Sequence, residues 1–316
     1  LTNIPSLIPS TTTINSLSVT PGTSTIDGKS NTIYIGSTQG LAVVQEKQSG
    51  ATVGDGTDET NGSVKYYTKD YISEEMVGDI RGMWPLSANG ALSMSDASVK
   101  ADTLTNNGTA TAVTGVRGAG VSLNGSTQYL SCTDANCGGT SKLDYTGSGG
   151  WSVGAWVKFN TLTSSPDNIS RIIDKYDFGN NNRGYILSKN VNHKFNFAVS
   201  SDGVADSANA TGQTVTVTGI WYHVVGVYDA SSLKIYVNGI LEGTTTYSSG
   251  IFNNAGQFDI GAETITGTGT QRYLNGSIDE PFVTANILTA GQIKHMYEVG
   301  YRALQSHATT LGGGAA

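Results

Sequence analysis

Residues 151–159 alternate without a break. Trp151, Val153, Ala155, Val157 and Phe159 fall on one side of an extended chain, and Ser152, Gly154, Trp156 and Lys158 on the other. A period of two over this length predicts a β-strand with one face in a core. Shorter runs behave alike at 185–187, 194–199, 215–218, 221–228, 233–237 and 258–260. Between them stand Asn124-Gly125, Asp202-Gly203, Asn238-Gly239 and Asn275-Gly276, pairs that accept the left-handed backbone of tight hairpin turns. Many short strands with little helix predict a sandwich or barrel. One helix is expected near the end: Thr289 and Gln292 make a capping box, and Ile293, Met296 and Tyr297 form an apolar stripe behind it.

The first 80 residues read differently. Residues 1–30 are rich in Ser, Thr and Pro with scattered apolar positions, and predict an extended arm. Residues 31–72 predict a small β unit: Ile33 and Ile35 alternate with Tyr34, the chain turns at 37–40, and it returns through 41–45. This unit resembles one blade of a β-propeller, which cannot bury its faces alone. Residues 73–82 are expected to form a linker helix capped by Ser73, with Glu74 and Glu75 at its positive end. A jelly-roll domain over 83–305 and a flexible Gly-rich tail over 306–316 complete the expected order.

Composition sharpens this picture. The chain has 316 residues, of which 41 are Gly and only 14% are charged, with a net charge of −7. Gly, Asn and Thr suit tight turns and pleated strands. An acidic chain without a Lys/Arg cluster argues against a nucleic-acid partner. No run approaches the ~20 apolar residues of a membrane span, so membrane insertion is not expected. Residue 1 is Leu, with no basic segment or long apolar run after it, so a processed or truncated chain is expected. The two cysteines, Cys132 and Cys137, could close a small disulfide loop of the kind found in exported proteins. A free pair and a metal half-site are the alternatives.

Several segments together resemble a known family. They are MWPL (83–86), GAGVSLNGSTQYLSC (118–132), WSVGAWVKF (151–159), GYILS (184–188), IWYHVVGVYDASSLKIYVNGILEG (220–243), FDIGA (258–262) and LNGSIDEPFV (274–283). In order and spacing they resemble the LamG-like jelly roll of the concanavalin A-like lectin/glucanase superfamily. The fold class implied is all-β, an antiparallel jelly-roll β-sandwich with one C-terminal helix. The small hairpin unit and the extended N-terminal arm would precede it.

The resemblance also implies a structural Ca²⁺. Asp279 stands at the matching position, with Asp96 and Asn107 as further oxygen donors; hard oxygen ligands suit Ca²⁺. Relatives often carry an acid shortly after the WPL motif, where Ser87 and Ala88 stand here. Glucanases of the superfamily place their carboxylates as E-x-D-x-x-E on one strand, and no such run occurs in this sequence. Asp279 and Glu280 are adjacent and would face opposite sides of a strand. The four His residues lie on separate elements without a nucleophile motif, so no catalytic residue is assigned.

The best candidate rim for a ligand is DKYDFGNNNRGY (174–185), with Asp174, Tyr176, Asp177, Phe178, Asn181 and Arg183; a solvated turn is the plainer reading. Trp156, out of phase with Val153 and Val157, is either a stacking platform or packing. The function expected is a non-catalytic extracellular or cell-surface adhesion module recognising carbohydrate or an extracellular protein. The alternative is a structural subunit of a filament, fibre or phage appendage, a homo-oligomer assembled through the N-terminal arm by strand addition.

Overall fold

The computed structural model describes strands at 33–37 and 40–44 and most of residues 79–311. Residues 89–90, 99, 139–141, 146–148 and 165 are excepted, and side chains are described as far as residue 304. The chain divides into two compact units, Leu1–Glu74 and Glu75–Ala316. In the first, β1 (Ile33–Ser37) and β2 (Gly40–Val44) pair antiparallel, with Ile35 opposite Ala42, as the alternation predicts. The arm, the rest of the blade-like unit and residues 73–78 of the expected linker helix lie outside the described residues. Residues 80–82, expected to end that helix, belong instead to a strand, β3 (Ile80–Met83), because Met83 and Gly82 pair with Phe282 and Val283.

Two antiparallel sheets make the second unit. The first has eight strands: β3, β7 (Thr111–Thr114), β8 (Ala119–Asn124), β10 (Trp151–Phe159), β15 (Trp221–Tyr228), β16 (Ser232–Val237), β17 (Ile240–Thr246) and β21 (Asn275–Thr284). Their order is β17-β16-β15-β10-β21-β8-β7, with β3 also on β21. The second sheet runs β14-β13-β12-β11-β18-β9-β6. Its strands are β6 (Thr105–Asn107), β9 (Tyr129–Cys132), β11 (Ser170–Asp177), β12 (Asn182–Lys189), β13 (Lys194–Val199), β14 (Ala208–Val215) and β18 (Phe258–Ile260). Two small hairpins complete the unit: β4 (Ser87–Ala88) with β5 (Ala91–Leu92), and β19 (Glu263–Ile265) with β20 (Gly269–Gln271).

The predicted face of β10 fills the core. Trp151, Val153, Ala155, Val157 and Phe159 are fully buried, and they share one cluster with Tyr185, Leu187, Phe195, Phe197, Phe258 and Ile260 of the other sheet. Trp151 lies 4.7 Å from Tyr185 and 5.4 Å from Phe197, ring centre to ring centre, which locks the layers across the middle. Close approach explains the glycine in the predicted HVVGVYD strand: a Cβ on Gly226 would come within 2.6 Å of the Phe197 ring.

Turn chemistry is confirmed at Asn238 and Gly239, whose φ values are 49° and 79°. Asn275-Gly276 is a correction. It is no turn but the start of β21, opposite Phe159 and Leu123, and its Gly lies where the Lys158 carbonyl leaves no space for a side chain.

Thr289 and Gln292 close the expected capping box, each accepting from the other's backbone N–H. The helix behind it, Ala290–Leu311, runs beyond the point where a flexible tail was expected. Ile293 and Met296 are buried, and the Tyr297 ring stacks 5.8 Å from Trp156. Trp156 is therefore packing on the outer face of the first sheet.

Candidate functional site

The second sheet's outer face carries the segment singled out in the sequence. β11 is irregular: its register with β12 shifts between Arg171 and Ile173 and again between Lys175 and Tyr176. Such bulges re-aim side chains. Ile172 and Ile173 both enter the core, while Tyr176 clusters with Ile186 and Ala198 outside it. Beside them opens a cavity of ≈ 170 Å³, lined among others by Arg171, Tyr176, Phe178, Asn196, Asp206 and Arg272.

The aromatic side is built by a turn. Asp177 Oδ1 accepts from Gly179 N and from Thr266 N, so the turn is tied both to itself and to the β19–β20 connection. Asn181 follows in the left-handed conformation with φ 52°. Phe178 is left 51% exposed, an unusual state for Phe, under the Arg183 guanidinium at 4.3 Å. Arg171 and Arg183 lie 5.5 and 5.7 Å from the Tyr176 ring. The Tyr176 hydroxyl donates to Asp206 at 2.5 Å, and burial followed by that carboxylate pushes its pKa up.

Of the six residues proposed from sequence, Tyr176 and Phe178 line the cavity, and Arg183 stacks over both. Asp177 and Asn181 shape the turn. Asp174 is 1% exposed and lies beneath the surface. Arg171 and Arg272, both on the wall, carry no local signal; they are 101 positions apart in sequence and meet through a backbone bond from Arg171 N to the Arg272 carbonyl and through Glu263.

That meeting belongs to a charged cluster under the β19–β20 hairpin. Glu263 Oε2 accepts from Arg171 at 2.7 Å and from Arg272 at 2.5 Å, and Arg272 also binds Asp167 at 2.7 Å. Asp174 pairs with Arg171 Nε at 3.0 Å. Asp259, directly opposite Asp174 in the ladder, accepts from Gln257 and from Thr264 N. The structure thus brings together carboxylates that stand far apart in the sequence. A glycosidase needs its two acids on either side of an accessible bond. Asp174, Asp259 and Glu263 are sealed, at 1%, 0% and 0% exposure.

The residues proposed for Ca²⁺ do not form a set. Both Asp279 oxygens accept backbone N–H groups, from Val116, Arg117 and Glu280. Asp96 likewise caps Met83 N, Ser98 N and Asp102 N. Amide dipoles aimed at a carboxylate favour an anion there, not a cation. Asn107 lies on the other sheet and donates to Ser131. No group of three or more His, Cys, Asp or Glu fit to hold a metal occurs among the described residues. Burial, partly offset by those amides, lifts Asp279 to about 7. Cys132 and Cys137 form a disulfide, and Asp134 inside its loop binds the buried Lys175 at 2.9 Å.

Comparison with known proteins bears on this architecture. Among solved structures, the binding domain of Paraclostridial mosquitocidal protein 1 superposes with a TM-score of 0.55 at 11% identity, covering 70% of this chain and 52% of that one. The botulinum neurotoxin DC binding domain, solved with rat synaptotagmin II, gives 0.52 at 14% identity over 70% and 52%. Domain 4 of an extracellular arabinanase from Geobacillus stearothermophilus, solved with arabinotriose, gives 0.50 at 20% identity over 69% and 98%. The chain spans about half the length of the toxin domains, and at these identities the likeness concerns fold alone. No curated protein matches the sequence significantly. The sequence profile described as the concanavalin A-like lectin/glucanases superfamily matches residues 124–294, more than half of the chain. The chain belongs to the concanavalin A-like lectin/glucanase superfamily.

Proposed function

We propose that this chain is a non-catalytic, extracellular or cell-surface module that binds a saccharide in the cavity beside Tyr176 and Phe178. The observation that carries the reading is the exposed Phe178 ring next to a polar wall. A sugar presents C–H faces to an aromatic ring and hydroxyls to amides, carboxylates and guanidinium groups. Tyr176, Phe178 and Ile186 offer the first surface; Ser188, Asn190, Asn196 and Asp206 offer the second. Small-ligand pockets likewise set an apolar or aromatic surface beside polar groups that fix orientation; here polar residues form the larger part of the lining.

The arabinotriose complex of a similar fold supports a saccharide, and the synaptotagmin complex of another supports a protein ligand as the competing outcome. Catalysis is not part of the reading, because Asp174, Asp259 and Glu263 are sealed and already held by arginines or, for Asp259, by Gln257 and Thr264 N. Calcium is not part of it either. The alternative of a filament subunit rests on residues 1–30, outside the described residues, and no described feature favours it.

The test is a glycan array probed with the full chain, followed by titration of each hit and of arabinotriose. The expected result is a saccharide signal that Phe178→Ala and Arg183→Ala each weaken. Absence of any saccharide signal, or a signal that both substitutions leave intact, overturns the reading.

A further inference from the structure

The wall of the cavity depends on the β19–β20 hairpin. The hairpin leads into Arg272, its connection receives Asp177, and a Cβ on Gly179 of the Phe178 turn would lie 2.5 Å from Ile265. Backbone bonds tie the ends of the hairpin, from Arg171 N to the Arg272 carbonyl and from Leu274 N to the Gly261 carbonyl; beneath its strands lies the charged cluster, and that cluster is out of balance. Asp167, Asp174, Asp259 and Glu263 face only two guanidinium groups, Arg171 and Arg272. Two further charges lie at the cluster's edge, Lys189 of β12 beside Asp167 and Asp206 at the Tyr176 hydroxyl; the groups next to the central pair bring none, with Ile186 of β12 opposite Asp174, Ser131 of β9 opposite Asp259, and Tyr176 a phenol held neutral.

Asp174 and Asp259 are cross-strand partners, which places their Cβ atoms about 4.5–5.5 Å apart. Like charges so placed repel, and neither has water to screen it. Asp259 is supported as an anion by Gln257 and Thr264 N. Asp174 is not: its oxygens accept no hydrogen bond, and its single guanidinium contact is shared with Glu263.

We propose that a proton retained on the Asp174–Asp259 pair keeps the β19–β20 hairpin closed on the sheet, so that the cavity wall loosens as pH rises through the neutral range. Burial, ahead of the neighbouring charges, raises both groups, Asp174 well above the ordinary carboxylate range and Asp259 to about 6. A carboxyl whose folded pKa is raised stabilises the closed form fully below about pH 4, its unfolded value, and loses that contribution as pH climbs through the folded value. Asp167 acts in the opposite sense: burial opposes its ionisation, but Arg272 lowers its pKa, so its contribution is lost only in acid. Closure is therefore expected to be firmest in mild acid.

The functional consequence rests on the cavity being the ligand site, but the hairpin can be measured without any ligand. Hydrogen exchange of the full chain, converted to protection factors, reads the Thr264 amide and its neighbours in β19 and β20 between pH 5.5 and 8.5. Protection is expected to fall at least about tenfold across that range, the change that one proton linkage gives per pH unit. Asp174→Asn should abolish the fall. Asp259→Asn, which keeps one acceptor for Thr264 N, is the second variant should the first not fold. Flat protection in the wild type overturns the proposal, as does an unaltered fall in whichever amide variant folds. A pH-dependent hairpin with no saccharide bound at any pH leaves the latch standing and removes only the binding reading.

Discussion

The two sheets have outer faces of opposite character. On the first sheet, Trp156 and His223 are fully buried with ring centres 5.0 Å apart beneath the C-terminal helix, and Gly300 sits where the Trp156 ring leaves no space for a Cβ. Burial lowers His223 to about 3, so it is neutral at any ordinary pH. On the second sheet the cover is a two-stranded hairpin held by ion pairs, and beside it the surface keeps an exposed Phe and a cavity. An apolar cover contributes stability and hides its face; a polar, partial cover leaves an edge where a ligand can seat. Trp156 and Phe178 look alike as candidate sugar platforms in the sequence. What separates them is which sheet face the helix closes.

The largest expected effect breaks the closed face. Trp156→Ala removes a fully buried indole and should cost about 3–5 kcal/mol. In a unit of this size that amounts to a fall in Tm of roughly 10 °C, read by calorimetry. The open face should respond in the opposite way. Phe178→Ala, at a half-exposed position, should change stability by less than about 1 kcal/mol, yet raise the Kd for an array-identified saccharide about tenfold, or about 1.4 kcal/mol. If Phe178→Ala unfolded the chain while Trp156→Ala abolished binding, the roles of the two faces would be reversed.

A smaller effect comes from pH. Burial, the leading cause in each case, raises Asp174, Asp259 and Asp279. Each group therefore stabilises the fold most below the unfolded carboxylate value and loses that contribution as pH climbs through its folded value. The Tm should peak in mild acid and decline by several degrees by pH 8. Asp279 belongs to the first sheet, so Asp279→Asn should shrink the decline without altering protection of the β19–β20 hairpin. The smallest effect is that of calcium: with Asp96 and Asp279 turned to backbone amides, EDTA should move the Tm by less than about 1 °C.

The sequence shows the closed side of this molecule far better than the open side. Local periodicity is enough for β10, for the Asn238-Gly239 turn and for the Thr289 capping box, because each depends on neighbours a few residues away. The cavity wall depends on contacts that cross the chain. Arg171 meets Glu263 from 92 positions away, and Arg272 meets Asp167 from 105. Even within the loop singled out from sequence, alternation fails. The two register shifts of β11 turn Asp174 under the surface and Asp177 into a turn cap, leaving only Tyr176 and Phe178 of the 174–178 run on the cavity. Asn275-Gly276 misleads for a related reason: its Gly serves a close approach by the Lys158 carbonyl inside a sheet, which the dipeptide alone cannot distinguish from a turn.

The central claim is that the open face of the second sheet is where ligand sits. The most direct test is NMR mapping of backbone amide shifts in the full chain during titration with the strongest saccharide from the array. Perturbations concentrated in 171–190 and 263–272 are the predicted result. Perturbations gathered around Trp156 and the C-terminal helix, with the Phe178 turn unmoved, would contradict it.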